Sequence, residues 1–292
     1  MKRKAAIFRG LAAVMAFLLF ITVSGSNLMF TYAGIINNVF NIPTSKVVAS
    51  EGGDDAELFY YDARYGTDIT NKQAALDVEM AVAAEIIAEN EEGVVLLTNN
   101  AALPLSPETR ITIFGNGSVN SKGTASSTAF DSIPAVSLSS AMQTALGTDS
   151  VNLTLVENVY SKLDSTTNTT IVEAPIQDVT AYSGTWQSDY NDAAIVMLTR
   201  VGSEDKDDVF ITSEGRHYLG LSQNEEDLMD YLRDQKNAGI FDEIIVLINA
   251  DQMMELDWLE QYDVDACVLA GLPGAVGFTG LANVLTGKVS PS

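Results

Sequence analysis

Residues Ala193-Ala-Ile-Val-Met-Leu198 are apolar without a break, and Thr199-Arg-Val-Gly-Ser-Glu-Asp-Lys-Asp-Asp208 follows as a turn crowded with charge. An unbroken apolar run of this length reads as a strand covered on both faces, the habit of parallel sheets in α/β proteins. In open sheets of that kind, ligands bind outside the carboxyl ends of the strands. The turn stands at that edge. Glu204, at its middle, is therefore the leading candidate for a reacting group.

The flanking sequence repeats the alternation. Thr70-Asn-Lys-Gln73 has the form of a capping box, and Leu76, Met80, Ala83 and Ile87 behind it fall on one helical stripe that ends at Gly93, read as a left-handed cap. Val94–Leu97 and Ile111–Phe114 read as strands, with Leu103-Pro-Leu105 between them. Ser137–Leu146 reads as a helix and Val151–Val156 as a strand. Residues 157–190 are polar and give no assignment. Ser222-Gln-Asn-Glu225 is a second capping box, opening a helix with Leu228, Met229 and Leu232 turned inward. Then come a strand at Glu243–Asn249, a helix at Gln252–Gln261, a strand at Asp265–Leu269 and a helix at Gly274–Leu285. The pattern predicts a three-layer α/β sandwich, with a mostly parallel sheet of about six strands and helices on both faces. It occupies residues 70–292, after an acidic tether at 46–69.

Residues 1–45 are of another kind. Met1-Lys-Arg-Lys4 and Arg9 precede an apolar run, and no charged residue returns until Lys46. Leu11–Val23 alone has the length of a signal peptide, with small residues at Val23-Ser-Gly25 for cleavage. Read on through Ile36, the stretch is long enough to span a bilayer, which needs about 20 residues. Cleaved signal and retained anchor both stay open. Either keeps the basic end in the cytoplasm and sends the remainder outside.

Composition removes several chemistries. The 292 residues carry 39 acidic against 16 basic side chains, a net charge of −23, which repels phosphate backbones and excludes nucleic acid as a natural partner. A single cysteine, Cys267, rules out an internal disulfide and a cysteine zinc site, and reads as a buried strand position. The single histidine, His217, rules out a two-histidine metal site and reads as a surface or packing residue. Gly115-Asn-Gly117 lacks the third glycine and the helix that a dinucleotide fingerprint needs, so no cofactor is called for. The polar segment behind it, 119–128, reads as a ligand-facing loop. What remains for chemistry is mostly carboxylates.

The order of several segments resembles the second, α/β-sandwich domain of glycoside hydrolase family 3. Glu91-Glu-Gly-Val-Val-Leu-Leu-Thr-Asn99 with Leu103-Pro-Leu105, Ile113-Phe-Gly-Asn-Gly117, Asp265-Ala-Cys-Val-Leu-Ala-Gly-Leu-Pro-Gly274 and Val284-Leu-Thr-Gly-Lys-Val-Ser-Pro-Ser292 each resemble a family segment, in the family's order. Ala194–Asp207 is similar to the segment that carries the general acid/base of the β-glucosidase branch. The resemblance implies that Glu204 is that residue, that Arg200 and Asp207 match positions beside it and bind substrate, and that Lys122 and Gly123 bind substrate from a sugar-side loop. It also implies that the nucleophile is an aspartate on a separate (β/α)8 barrel, supplied in cis by sequence beyond Ser292 or in trans. One branch that this chain resembles has a membrane-targeted N-terminus, then the sandwich, then the barrel.

The chemistry explains why one carboxylate is insufficient. A retaining glycosidase needs a nucleophile about 5 Å from a second carboxyl that first donates and then accepts a proton. The donor needs a raised pKa. Asp205 and Asp207 act in that direction, whereas Arg200 and Lys206 act against it. Two readings follow. One is the acid/base half of an exo-acting retaining β-glycosidase acting on an oligosaccharide or glycoside, inactive alone on aryl β-glycosides. The other is a non-catalytic extracellular module that binds carbohydrate or a protein.

Overall fold

In a computed structural model of the protein, the apolar run is strand β4 (Ala193–Thr199), buried at each of its seven residues. The structure describes residues 2–33, 35–36, 72–123, 130, 132–202 and 210–292. With β1 (Val95–Asn99), β2 (Ile111–Phe114), β3 (Val151–Asn152), β5 (Glu243–Asn249) and β6 (Ala266–Leu269), β4 forms a six-stranded sheet of order β1-β6-β5-β4-β2-β3. All pairings are parallel except that of β1 with β6. In register, Ile195 stands between Ile113 and Ile245, a row of β-branched side chains across three central strands.

The period of two along a strand divides the core into two layers. Ala193, Ile195 and Met197 join Ile113, Leu247 and Val268 under helices α3 (Leu138–Leu146) and α8 (Phe278–Leu285). Ala194, Val196 and Leu198 join Phe114, Val246 and Cys267 under α6 (Gln223–Asn237), whose Leu228, Met229 and Leu232 face the sheet. This is the three-layer sandwich anticipated above. Truncating a side chain such as Ile195 to alanine in so closed a layer costs about 2–5 kcal/mol.

Several local readings need correction. The strand anticipated at 151–156 is only Val151–Asn152, and helix α4 (Thr154–Asn158) follows at once. The Asn152 side chain accepts the Thr154 N–H at 3.0 Å, which turns the chain, and Leu155 and Val159 then bury one helical turn apart. The helix expected from Gln252 is the single turn α7 (Trp258–Gln261), because Glu255 donates its N–H to Leu219 O at 3.0 Å, outside any helical ladder. The last helix starts at Phe278 rather than Gly274, whose φ of +66° is a turn conformation. Helix α2 (Lys72–Gly93) ends where read, but without left-handed backbone at Gly93. The Thr70 capping box lies outside the described residues. The Ser222 box is present, with both reciprocal hydrogen bonds.

The chain divides into two compact units, Met1–Asp62 and Ala63–Ser292. The first contains helix α1 (Lys2–Thr31), of which Ile7–Thr31 is long and apolar enough to cross a membrane. A signal sequence passes the same test of length and composition.

Candidate functional site

The parallel strands direct the chain after β2, β4, β5 and β6 to one edge of the sheet. Glu204 and Asp207 lie outside the described residues. Arg200, Lys122 and Gly123 are described, and so is the frame on which the segment 203–209 is mounted.

Arg200 follows β4 directly and is completely buried. Its guanidinium meets Glu225 as a bidentate pair, Nη1 to Oε1 at 2.8 Å and Nη2 to Oε2 at 2.7 Å. Nε donates to Tyr218 O at 2.8 Å, Nη1 also to Thr199 O at 2.9 Å, and Nη2 also to Gly220 O. A guanidinium has five N–H donors, and these bonds use all five. Arg200 therefore ties the start of the loop to segment 218–222 and to the first turn of α6, and has no donor left for a substrate. Glu225 fits this role because its Oε2 also accepts the Ser222 N–H at 2.8 Å, closing the capping box around the ion pair. Two residues on, Gly202 donates its N–H to Asp251 Oδ1 at 3.1 Å.

The loop after β2 is held differently. Gly115 has φ +88°, and a Cβ there would collide with the Met197 carbonyl oxygen, while one at Gly117 would collide with Thr199 Oγ1. The glycines thus let the turn Asn116–Ser118 lie directly on β4, which accounts for Gly115-Asn-Gly117 without a phosphate. Glu173, from the segment without sequence assignment, is buried against this turn. Its Oε2 accepts the Asn116 N–H and its Oε1 the Ala174 N–H, each at 2.8 Å. Burial pushes the Glu173 carboxyl up to about 8; the two N–H bonds and Arg200 pull the other way, and Glu225 adds to the rise.

Lys122 and Gly123 close the site on its third side. The Lys122 N–H donates to Asn249 Oδ1 at 2.6 Å, and Asn249 Nδ2 donates to Lys122 O at 3.0 Å. Gly123, at φ +80°, packs so closely that a Cβ would stand 2.7 Å from Leu272 Cβ. Lys122 is thereby seated on the end of β5 and Gly123 on the loop after β6. Among the described residues the Lys122 ammonium has no carboxylate partner.

His217 and Cys267 stand apart from this edge chemistry. Half-exposed His217 meets Glu255 at 3.0 Å and lies beside the Phe210 ring. Cys267 is buried in β6, where desolvation pushes its thiol up to about 12.

Sequence reasoning missed Glu173, Asn249 and the inward role of Arg200. Only Asn249 carried a signal. It falls in the period-two register of Ile245 and Leu247, and a polar residue at a core position must have hydrogen-bond partners.

The loops after β2 and β6 are joined at the carboxyl edge of a mostly parallel α/β sandwich. The model of the Glycosyl hydrolase family 3 C-terminal domain matches residues 94–292, and the chain belongs to that family. A β-glucosidase of Ruminococcus albus is 28% identical over 101 residues, 35% of this chain and 10% of that protein. β-Glucosidase 3B of Thermotoga neapolitana, solved in complex with glucose, superposes with a TM-score of 0.57 at 22% identity, over 74% of this chain and 30% of its own. A β-glucosidase from Paenibacillus barengoltzii superposes with a TM-score of 0.55 at 23% identity, over 72% of this chain and 23% of its own. These likenesses are of fold, and the chain spans less than a third of each relative.

Proposed function

We propose that this domain is the acid/base-bearing half of a retaining β-glycosidase, with Glu204 as the proton donor. The nucleophile comes from a (β/α)8 barrel in cis or in trans. The observation that carries the reading is the anchoring of Arg200, four residues before Glu204, by five hydrogen bonds at the carboxyl edge. A general acid must be held near one geometry to be effective. Family membership and the β-glucosidase relatives supply the reaction class. On this reading Lys122 and Gly123 belong to the sugar side, Asp207 is a substrate-binding residue by family resemblance, and Arg200 acts by positioning. The sandwich faces the outside of the membrane, as the basic N-terminal flank of α1 implies.

The second reading is a non-catalytic carbohydrate-binding or interaction module, in which the internal bonds of Arg200 serve the fold alone. The test is hydrolysis of 4-nitrophenyl β-D-glucoside by the full chain in detergent, alone and with a barrel of the family added. No turnover alone and turnover with the barrel support the enzyme. No turnover in either case, with glucoside binding retained, supports the module.

A further inference from the structure

Asn249 is the last residue of β5 and is completely buried. An asparagine side chain has two donors and about two acceptor positions. Here all four are occupied. Oδ1 accepts the Lys122 N–H at 2.6 Å and the Thr199 hydroxyl at 3.3 Å. Nδ2 donates to Gly271 O at 2.7 Å and to Lys122 O at 3.0 Å. The partners come from the chain after β2, the end of β4 and the chain after β6. The Asn249 backbone oxygen also accepts the Arg200 N–H at 3.2 Å.

The two bonds to Lys122 bracket a single residue, as a neighbouring strand would in a parallel ladder. A polar loop residue is thus held as though it were part of the sheet, at the edge where segment 203–209 begins. The sheet order separates β5 from β2 by the width of β4, so backbone pairing cannot make this connection.

We infer that Asn249 is a positioning residue, which fixes Lys122 and the ends of the loops after β2, β4 and β6 in one arrangement for the sugar. The inference rests on the reading of this edge as sugar-facing. Asn249 touches no substrate itself, because its hydrogen-bonding capacity is spent.

The test compares Asn249→Leu and Asn249→Asp with wild type as full chains in detergent. Leucine removes every side-chain bond, whereas aspartate keeps the acceptor for Lys122 and loses both donors. In hydrogen exchange, Asn249→Leu is expected to speed amides in 119–123 and 270–273 by about tenfold or more, with α3 and α6 unchanged. Asn249→Asp is expected to spare the Lys122 amide and loosen 270–273. Acceleration throughout α3 and α6, or none in the loops, overturns the inference.

A second readout separates positioning from a merely structural role. Binding of methyl β-D-glucoside is measured for Asn249→Asp, Lys122→Met and the double variant. The double variant is expected to lose no more affinity than Lys122→Met alone. Losses that simply multiply overturn the link to Lys122. If wild type binds no glucoside, the sugar-facing reading fails, and the exchange pattern alone decides whether Asn249 holds the loops.

Discussion

Two buried glutamates hold two neighbouring loops at the carboxyl edge, and they do so by opposite means. Glu225 grips the β4 loop through a full bidentate pair with Arg200. Glu173 grips the β2 loop through two backbone N–H groups and, among the described residues, has no ion-pair partner. In the first case charge is matched inside the protein. In the second, burial lifts the carboxyl to about 8, so the acid stays protonated in the folded protein at neutral pH. The loop that leads to Glu204 is thus held by a matched ion pair, and its neighbour by a carboxyl that burial has pushed up to about 8.

Breaking the ion pair is expected to have the largest effect. Arg200→Met leaves Glu225 without its cation and three carbonyls without a donor. A loss of about 3–5 kcal/mol in urea unfolding is expected, the cost of stranding a buried charge. A loss below about 1 kcal/mol, the range of exposed pairs, would erase the contrast between the two glutamates.

Glu173→Gln is expected to act less strongly, and with a dependence on pH. Its amide nitrogen cannot accept one of the two N–H groups, a cost of about 1–3 kcal/mol in acid. The sign follows from linkage. Below the unfolded value of 4.5 both states hold the proton, and the wild-type contribution is fully present. As pH rises toward about 8, the unfolded chain has released the proton and the folded chain retains it, so stability is lost, by roughly 1.4 kcal/mol per unit of displacement. Glu173→Gln removes that slope, and its deficit against wild type should shrink from pH 5 to pH 8. Parallel curves of stability against pH for the two proteins would contradict the assignment.

Ser222→Ala sharpens the comparison from outside the pair. The hydroxyl caps the helix that presents Glu225. Thermal unfolding should show a loss of about 1 kcal/mol. It should also be non-additive with Arg200→Met, because both act on one network, whereas the effect should simply add to that of Glu173→Gln.

The same contrast marks what could be read from the sequence. The β4 run and the Ser222 box were legible because each is a local signal, period in one case and spacing in the other. The hold on the β2 loop was not. Glu173 lies in a polar stretch without period, and its partner Asn116 is 57 residues away. Arg200 was read as substrate-binding from the resemblance of its segment to the family's. Its burial depends on carbonyls at Tyr218 and Gly220 that only the tertiary fold brings near. Composition reduced the candidates for chemistry mostly to carboxylates, but which of them are structural depends on contacts distant in sequence.

The most direct measurement concerns Glu204. With a barrel supplying the nucleophile, kcat/KM of Glu204→Gln, which reports the first step, is compared with wild type on cellobiose, whose leaving group needs a proton, and on 2,4-dinitrophenyl β-D-glucoside, whose leaving group does not. The expected result is a loss of about 10²–10⁴-fold on cellobiose. Departure of dinitrophenolate should survive in the first step, and azide should restore turnover by replacing base-assisted water. Equal losses on both substrates, or none on either, would contradict Glu204 as the proton donor.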